Sequence, residues 1–444
     1  MENEYKVTTG SKILSGTGLG KRHDLNLDHA QNQKASAIFY VITMMIAFTP
    51  RFADVDLGYR PAIVIGALWV LFFGYHFVRD YRRNSVNVRV ATWGLKTYFI
   101  PHMVIHAYTI VLMILGKISF SLFSTNVTVY VPALVAVLSV YYFGKDALKL
   151  NCIAVICSYT VSVLISTLVK GFVIFPHGII EGYIEQGSNF GGLTKNYLEL
   201  HDLVLSIGYI FTFYLFTQTR VTKKNIGIAI GALLVFILGV KRISVLAVLL
   251  AVVFYVLINK LRKKYQYRIC LVAGFLGSIV CYLFIYILSK GSWFFDLINS
   301  YGINPAGRNY YYQAILEYAE FKPSFLGIGR NVVTEIFNNE LSYLHVGGAH
   351  SDVIKMYVEN GFFLFGIWLW YYLMHVTKRY KDMFGLKAAV VYFGITIYTF
   401  TLYLTDNIEI YFICQIIGIV IPLTYAYAEL SKKAEKDALK GEIR

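Results

Sequence analysis

Charge is scarce in this chain: 15% of residues are charged against 57% hydrophobic, and the mean hydropathy is +0.55. A soluble domain cannot hide that much apolar surface, so the composition excludes an ordinary soluble enzyme and points to a polytopic membrane protein. Cysteine is also scarce. Cys152, Cys157, Cys281 and Cys414 lie inside apolar runs and Cys270 opens one, so no pair reads as a disulfide framework or a metal site. Acidic residues are few, 26 against 41 Lys and Arg. The resulting charge of +15 is no argument for nucleic acid, because membrane proteins concentrate basic residues in their cytoplasmic loops. Met1 to Lys34 lacks the apolar centre of a signal peptide and reads as a cytoplasmic tail.

What the chain has in abundance is long apolar runs. The expected fold is an all-α polytopic membrane protein of about twelve transmembrane helices, set by apolar windows for roughly 30 Å of hydrocarbon, with the first and seventh short. Their approximate limits are 36–50, 61–78, 98–116, 127–143, 150–170, 198–217, 225–240, 242–259, 268–288, 354–377, 386–404 and 408–428. The organisation that follows is a tail (1–35), nine spans (36–288), one large loop (289–350), three spans (351–428) and a C-terminal tail (429–444). Most of the Lys and Arg fall on the side of the N-terminal tail, so both termini are expected in the cytoplasm. The loop 289–350 then faces outward. It is rich in Tyr, Gly and isolated charges rather than in polar repeats, and a long loop of that kind between spans is expected to be folded, partly helical and functional.

Several residues on the outward side carry chemistry. Lys241-Arg242 interrupts two apolar runs with almost no turn. A cation at that depth usually faces a polar cavity or ligand, though snorkelling to headgroups is the plain alternative. Gly307-Arg308 precedes a short helical stretch through Tyr318. A basic residue in a first turn opposes the helix dipole, a conflict that a bound anion relieves; an ion pair with Glu317 or Asp296 is the other reading. His350 stands before Ser351-Asp352, which can open a helix. Asp352 suits the positive helix end, and the same dipole keeps the imidazole neutral, as a general base requires. His345 competes for that role. Arg330, in Gly327-Ile328-Gly329-Arg330, and Asn196, with His201, at the entry to the sixth span are candidate substrate contacts. Tyr311, between Tyr310 and Tyr312, offers a stacking face for a sugar, with packing an equal explanation. Glu359 lies one helical stretch after His350 and is expected to face other polar groups. Asp406-Asn407 reads as a turn. Asp54 and Asp56 form an acidic pair that could hold a divalent cation, with a solvated turn the simpler reading.

With these residues in place, the chain resembles the bacterial O-antigen polymerase and ligase superfamily. The matching pieces are Phe190-Gly191 with Asn196, Lys241-Arg242-Ile243-Ser244, Gly307-Arg308, Pro323 with Gly327-Ile328-Gly329, His350-Ser351-Asp352 with Glu359-Asn360-Gly361, and Asp406-Asn407. Lys241 stands where the family often has serine. The resemblance implies a Wzy-type polymerase of the bacterial cytoplasmic membrane, active on its outer face. Donor and acceptor would both be glycans on undecaprenyl pyrophosphate. Arg242 and Arg308 would hold the pyrophosphate and His350 would deprotonate the acceptor hydroxyl, with no metal or other cofactor. A flippase and a chain-length regulator of the same pathway are the expected partners. A ligase, a metal-dependent enzyme using Asp54 and Asp56, a lipid-linked oligosaccharide flippase, and a structural partner in an export complex are the alternatives.

Overall fold

The computed structural model describes residues 19–49, 51–52, 55–56, 60–83, 85–117, 129–170, 201–217, 230–231, 234–236, 242–301, 307–344 and 348–442. The chain divides into two compact units, residues 1–40 and 41–444. The regular structure of the described residues is helical apart from a small antiparallel hairpin, in which Arg51–Phe52 pairs with Val55–Asp56.

Seven described helices are long and apolar enough to cross a membrane: Arg60–Arg83, Val86–Ile114, Tyr130–Val169, Ile243–Lys260, Lys263–Ser289, Leu386–Tyr403 and Phe412–Asp437. The protein is therefore a multi-pass membrane protein, with seven such helices against the twelve spans expected. The run Tyr130–Val169 holds two expected spans in one, broken by the turn Gly144–Asp146. The expected spans 36–50 and 198–217 correspond to shorter apolar helices, Gln33–Ala47 and Asp202–Thr217. The expected span 225–240 lies mostly outside the described residues. The tenth is kinked and carries charge.

Burial separates central from peripheral helices. About two thirds of the apolar window is buried in Leu386–Tyr403 (61%) and Phe412–Asp437 (67%), against 22–33% in the other five. Phe412–Glu442 packs on Tyr130–Phe143, His201–Thr217 and Leu386–Tyr403, and the last packs in turn on Arg242–Lys260. The exposed apolar faces elsewhere, such as Leu68, Leu71, Leu276 and Leu283, suit hydrocarbon rather than water.

The segment 289–350 is folded in its described parts. Helices Trp293–Ser300, Arg308–Leu316 and Val332–Asn338 lie within it. Their apolar sides, including Phe295, Tyr312, Ile315, Ile336 and Phe337, share one buried core with Ile285 and Leu288 below and with Val353, Ile354 and Tyr357 of the next helix. The short helix expected after Gly307 is present as Arg308–Leu316, and the helix expected at Asp352 starts there. Ser351 caps it by accepting the Ile354 N–H at 3.2 Å.

That helix, Asp352–Trp370, bends at Gly361, whose φ is 75° and ψ 179°. The bend frees backbone groups, and the loop before Arg330 takes them up. The Ile328 N–H donates to the Val358 carbonyl at 3.0 Å, Gly329 to Glu359 at 2.9 Å, and Phe362 to Phe325 at 2.9 Å. The approach is close enough that a Cβ on Gly361 would stand 2.2 Å from the Leu326 carbonyl carbon. Gly327 faces it with φ 86° and would place a Cβ 2.5 Å from the Glu359 carbonyl oxygen. Only glycine meets both demands, positive φ and missing side chain. Replacing Gly361 with Ala is expected to cost at least about 1–3 kcal/mol from the backbone conformation alone. A detergent thermal-shift measurement should show it as a lowered unfolding temperature, with Gly74→Ala, where a Cβ meets nothing within 4 Å, as the neutral control.

Candidate functional site

The site is built around the turn between two central helices, residues 404–411. The helix Leu386–Tyr403 ends there, and the Thr405 and Asp406 N–H groups still bond back to Leu402 O at 3.0 and 2.9 Å. Asp406 then closes the turn: its Oδ1 accepts the Asn407 N–H at 2.8 Å and the Tyr411 hydroxyl at 2.9 Å. This is the local Asp-to-backbone bonding that makes Asp-Asn a turn-former.

Two sequence-predicted residues hang from this turn. Arg308 donates from Nε and Nη2 to the Thr405 carbonyl, at 3.2 and 3.0 Å. It is half-buried, and no carboxylate pairs with it among the described residues. The Tyr312 hydroxyl, one helical turn on, bridges the carbonyls of His350 (3.0 Å) and Leu404 (3.4 Å). His350 is half-buried with φ 47°, a left-handed conformation that carries strain for a residue with a side chain. The Tyr311 ring centre lies 6.0 Å from the imidazole centre. The segment just after His350 is tied to the same turn. The Ser351 hydroxyl donates to Tyr403 O at 3.2 Å and the Asp352 N–H to Asp406 O at 3.2 Å.

Behind the turn lies a buried charge network. Glu409 accepts from Arg330 Nη2 at 2.6 Å and from Lys355 Nζ at 3.3 Å, and all three side chains are at most 8% exposed. The Glu409 N–H donates to Asp352 Oδ2 at 2.8 Å. Burial raises the Glu409 carboxyl, but Arg330 and then Lys355 outweigh it and hold it at about 2. Burial, reinforced by the Glu409 charge, raises Asp352 well above the ordinary carboxyl range. One Asp352 oxygen accepts the Glu409 backbone N–H, and the other makes no hydrogen bond among the described residues. Glu359 is fully buried beside this network. Lys355 and Arg330 lie close enough to act on its carboxylate electrostatically, and the Asn331 backbone meets it.

The structure thus brings Arg308, His350, Tyr311, Arg330, Asp352 and Glu359 around one turn. Arg330 sits inside the buried network, 3% exposed, and Tyr310 is the exposed member of the tyrosine run while Tyr312 is core. Lys241, Asn196, His345 and Asp54 lie outside the described residues, and the side chains of Arg242, His201 and Asp56 are likewise outside them; Arg242 opens the helix Arg242–Lys260. Sequence reasoning missed Glu409 and Lys355. The signal was present: each is a lone charge in or beside an apolar run, and such charges are paired when buried. Arg308 takes neither Glu317 nor Asp296 as partner; it binds a main-chain carbonyl 97 positions away.

Glu409→Gln removes the charge that two buried cations need, and such a loss typically costs about 3–5 kcal/mol. The folded carboxyl is lowered from 4.5 to about 2. Its contribution to stability is therefore present above about pH 4.5 and is lost as pH falls toward 2. Thermal unfolding in detergent should show the variant less stable at pH 7, with the gap closing across that acid window.

Residues 226–369 match the family model described as O-Antigen ligase. No curated protein matches the chain. The matched stretch runs through the helices Arg242–Lys260 and Lys263–Ser289, the folded loop with Arg308, Arg330 and His350, and most of the kinked helix. It stops before the turn that holds Glu409. The matched stretch, about a third of the chain, is thus similar to the domain of the O-antigen ligase and polymerase superfamily, whose members carry out glycan transfer at membranes.

Proposed function

We propose that the protein is a glycosyltransferase that polymerises undecaprenyl-pyrophosphate-linked oligosaccharide repeat units, by inverting transfer, on the outer face of the bacterial cytoplasmic membrane. Both termini would be cytoplasmic and the loop 289–350 extracytoplasmic. The observation that carries this reading is the pairing of Arg308 and His350 on one turn. The Thr405 carbonyl holds the guanidinium, and Tyr312 ties the His350 peptide to the Leu404 carbonyl beside it.

In this reading Arg308, half-exposed and free of a carboxylate among the described residues, binds the donor pyrophosphate. Charge grows on that group as the glycosidic carbon departs, and a preorganised cation lowers the barrier. Arg242 adds a second cation. His350 takes the proton from the acceptor hydroxyl as it attacks the anomeric carbon from the opposite side. The strained backbone at His350 is the kind of local cost that persists where the surroundings impose a functional geometry. Tyr311 provides a sugar-facing ring, and Lys241, Asn196, Arg330, Asp352 and Glu359 orient substrate or the groups that touch it. No metal ion takes part. The product would be a capsular, exo- or O-antigen polysaccharide, made with a flippase and a chain-length regulator of the same pathway.

The description of the matched family favours a second reading, transfer of finished glycan to a different acceptor. The two differ in product. In cells lacking the chromosomal copy, a polymerase variant at Arg308→Ala or His350→Ala should leave single lipid-linked repeat units and little polymer. Expected losses are about 10²–10³-fold for the arginine and 10²–10⁴-fold for the base, at normal protein levels. Full-length polymer from both variants would overturn the assignment. Accumulation of full-length lipid-linked polymer, instead of single units, would identify the ligase reaction. Loss of polymer from Asp54→Asn alone would return a metal to the mechanism.

A further inference from the structure

A cavity runs into the helix bundle beneath Glu409, and neither the family match nor the proposed chemistry uses it. Its lining includes His102 from Ile100–Ile114, Trp368 from the kinked helix, Tyr372 from the following π-helical turn, Tyr403 from the end of Leu386–Tyr403, and Gln415 from Phe412–Glu442. Glu409 forms part of the wall nearest the site. The cavity reaches Gly418 and Ile419 along the last helix. Its lining on that helix runs from Cys414 to Ile419, about 7.5 Å at 1.5 Å per residue, the length of about one sugar ring.

The lining is unusual for a bundle interior. Aromatic faces dominate it, with Trp368 stacked on Tyr403 at a centroid separation of 5.9 Å and interplanar angle of 22°. Aliphatic side chains are a small minority of the lining. Between the rings stand hydrogen-bonding groups: the Glu409 carboxylate, the Gln415 amide and His102. His102 Nδ1 is inaccessible to solvent and has no hydrogen-bond partner among the described residues. A buried ring nitrogen without a partner is costly and calls for one. An isoprenoid tail would supply neither donor nor acceptor to that nitrogen and would favour aliphatic walls open to lipid. A pyranose supplies both what the rings and what the polar groups want: an apolar C–H face to stack and hydroxyls to bond.

We infer that this cavity is a saccharide subsite, taking a neutral sugar ring against Trp368, Tyr372 and Tyr403, with its hydroxyls on His102, Gln415 and Glu409. This rests on the glycan-transfer reading for its biological meaning, and deepens it: a subsite behind the reacting centre would hold a sugar of the acceptor unit.

The test reads binding without turnover. The full-length protein in lipid nanodiscs is presented with methyl β-D-glucoside, methyl α-L-rhamnoside and N-acetyl-D-glucosamine as probes, and with farnesol as an isoprenoid probe. Saturation-transfer NMR reports contact. At least one sugar should show transfer above empty nanodiscs, and Trp368→Leu should weaken it about tenfold. Trp368 is packed in the core, so Gln415→Met and His102→Phe serve as second variants; each should weaken the same signal, and farnesol should not displace it. Absence of transfer from all three sugars, signals unchanged in the folded variants, or displacement by farnesol would overturn the inference. Arg308→Ala should bind like the unaltered protein. If polymer formation survives Arg308→Ala and His350→Ala while sugar binding stands, the transfer chemistry fails and the subsite does not. If binding fails while those variants lose polymer, the reverse holds.

Discussion

One buried carboxylate organises the functional end of this protein. Glu409 answers two buried cations from different parts of the chain, Arg330 from the loop and Lys355 from the kinked helix. Removing three charges from water costs several kcal/mol per ion, and only mutual pairing with further hydrogen bonds offsets it. The pairing therefore has to be made as a set. Making it forces the loop, the helix and the turn after Tyr403 into one relative position. Asp352, its carboxyl pushed up by burial and by the neighbouring negative charge, accepts the Glu409 backbone N–H.

The rest of the site follows from that position. With the turn located, its Thr405 and Leu404 carbonyls become fixed acceptors for Arg308 and Tyr312, and Tyr312 then ties down the peptide of His350. A second constraint works from the other side. The mutual approach of Gly327 and Gly361 bends the helix and lets the loop backbone pair with it, which sets the height at which Arg330 enters the interior. The strain is held by main-chain bonds and buried charge, and Arg308 and His350, the groups proposed to meet substrate, are left half-exposed on that base. Preorganised sites are commonly built this way, with first contacts supported by a stiff second layer.

Desolvation explains why the network takes this form. Buried in the protein interior, charges find no water to relax them, so they either pair or mark function. Arg330, Lys355 and Glu409 pair. Arg308 donates to a main-chain carbonyl and pairs with no carboxylate among the described residues, and His102 leaves a ring nitrogen without a partner among them. Those are the positions at which a ligand would complete the hydrogen bonding.

Much of this was legible in the sequence by itself. Low charge and long apolar runs determined an all-α membrane protein, because backbone groups in hydrocarbon must bond within their own helix. Gly307-Arg308, the Ser351 cap and the helix from Asp352 were readable because helix ends obey local rules of capping and dipole. Other features depended on contacts between residues far apart in the chain. Glu409 looked like one more residue at the edge of an apolar run until Arg330, 79 positions away, was beside it. Gly327 and Gly361 were readable only as separate motif positions, and their shared requirement exists only where two backbones touch. The partner of Arg308 was a carbonyl, which no side-chain pattern encodes. Local chemistry is written in neighbouring residues, whereas pairing of buried charge and close approach of backbones arise only when tertiary packing brings distant segments together.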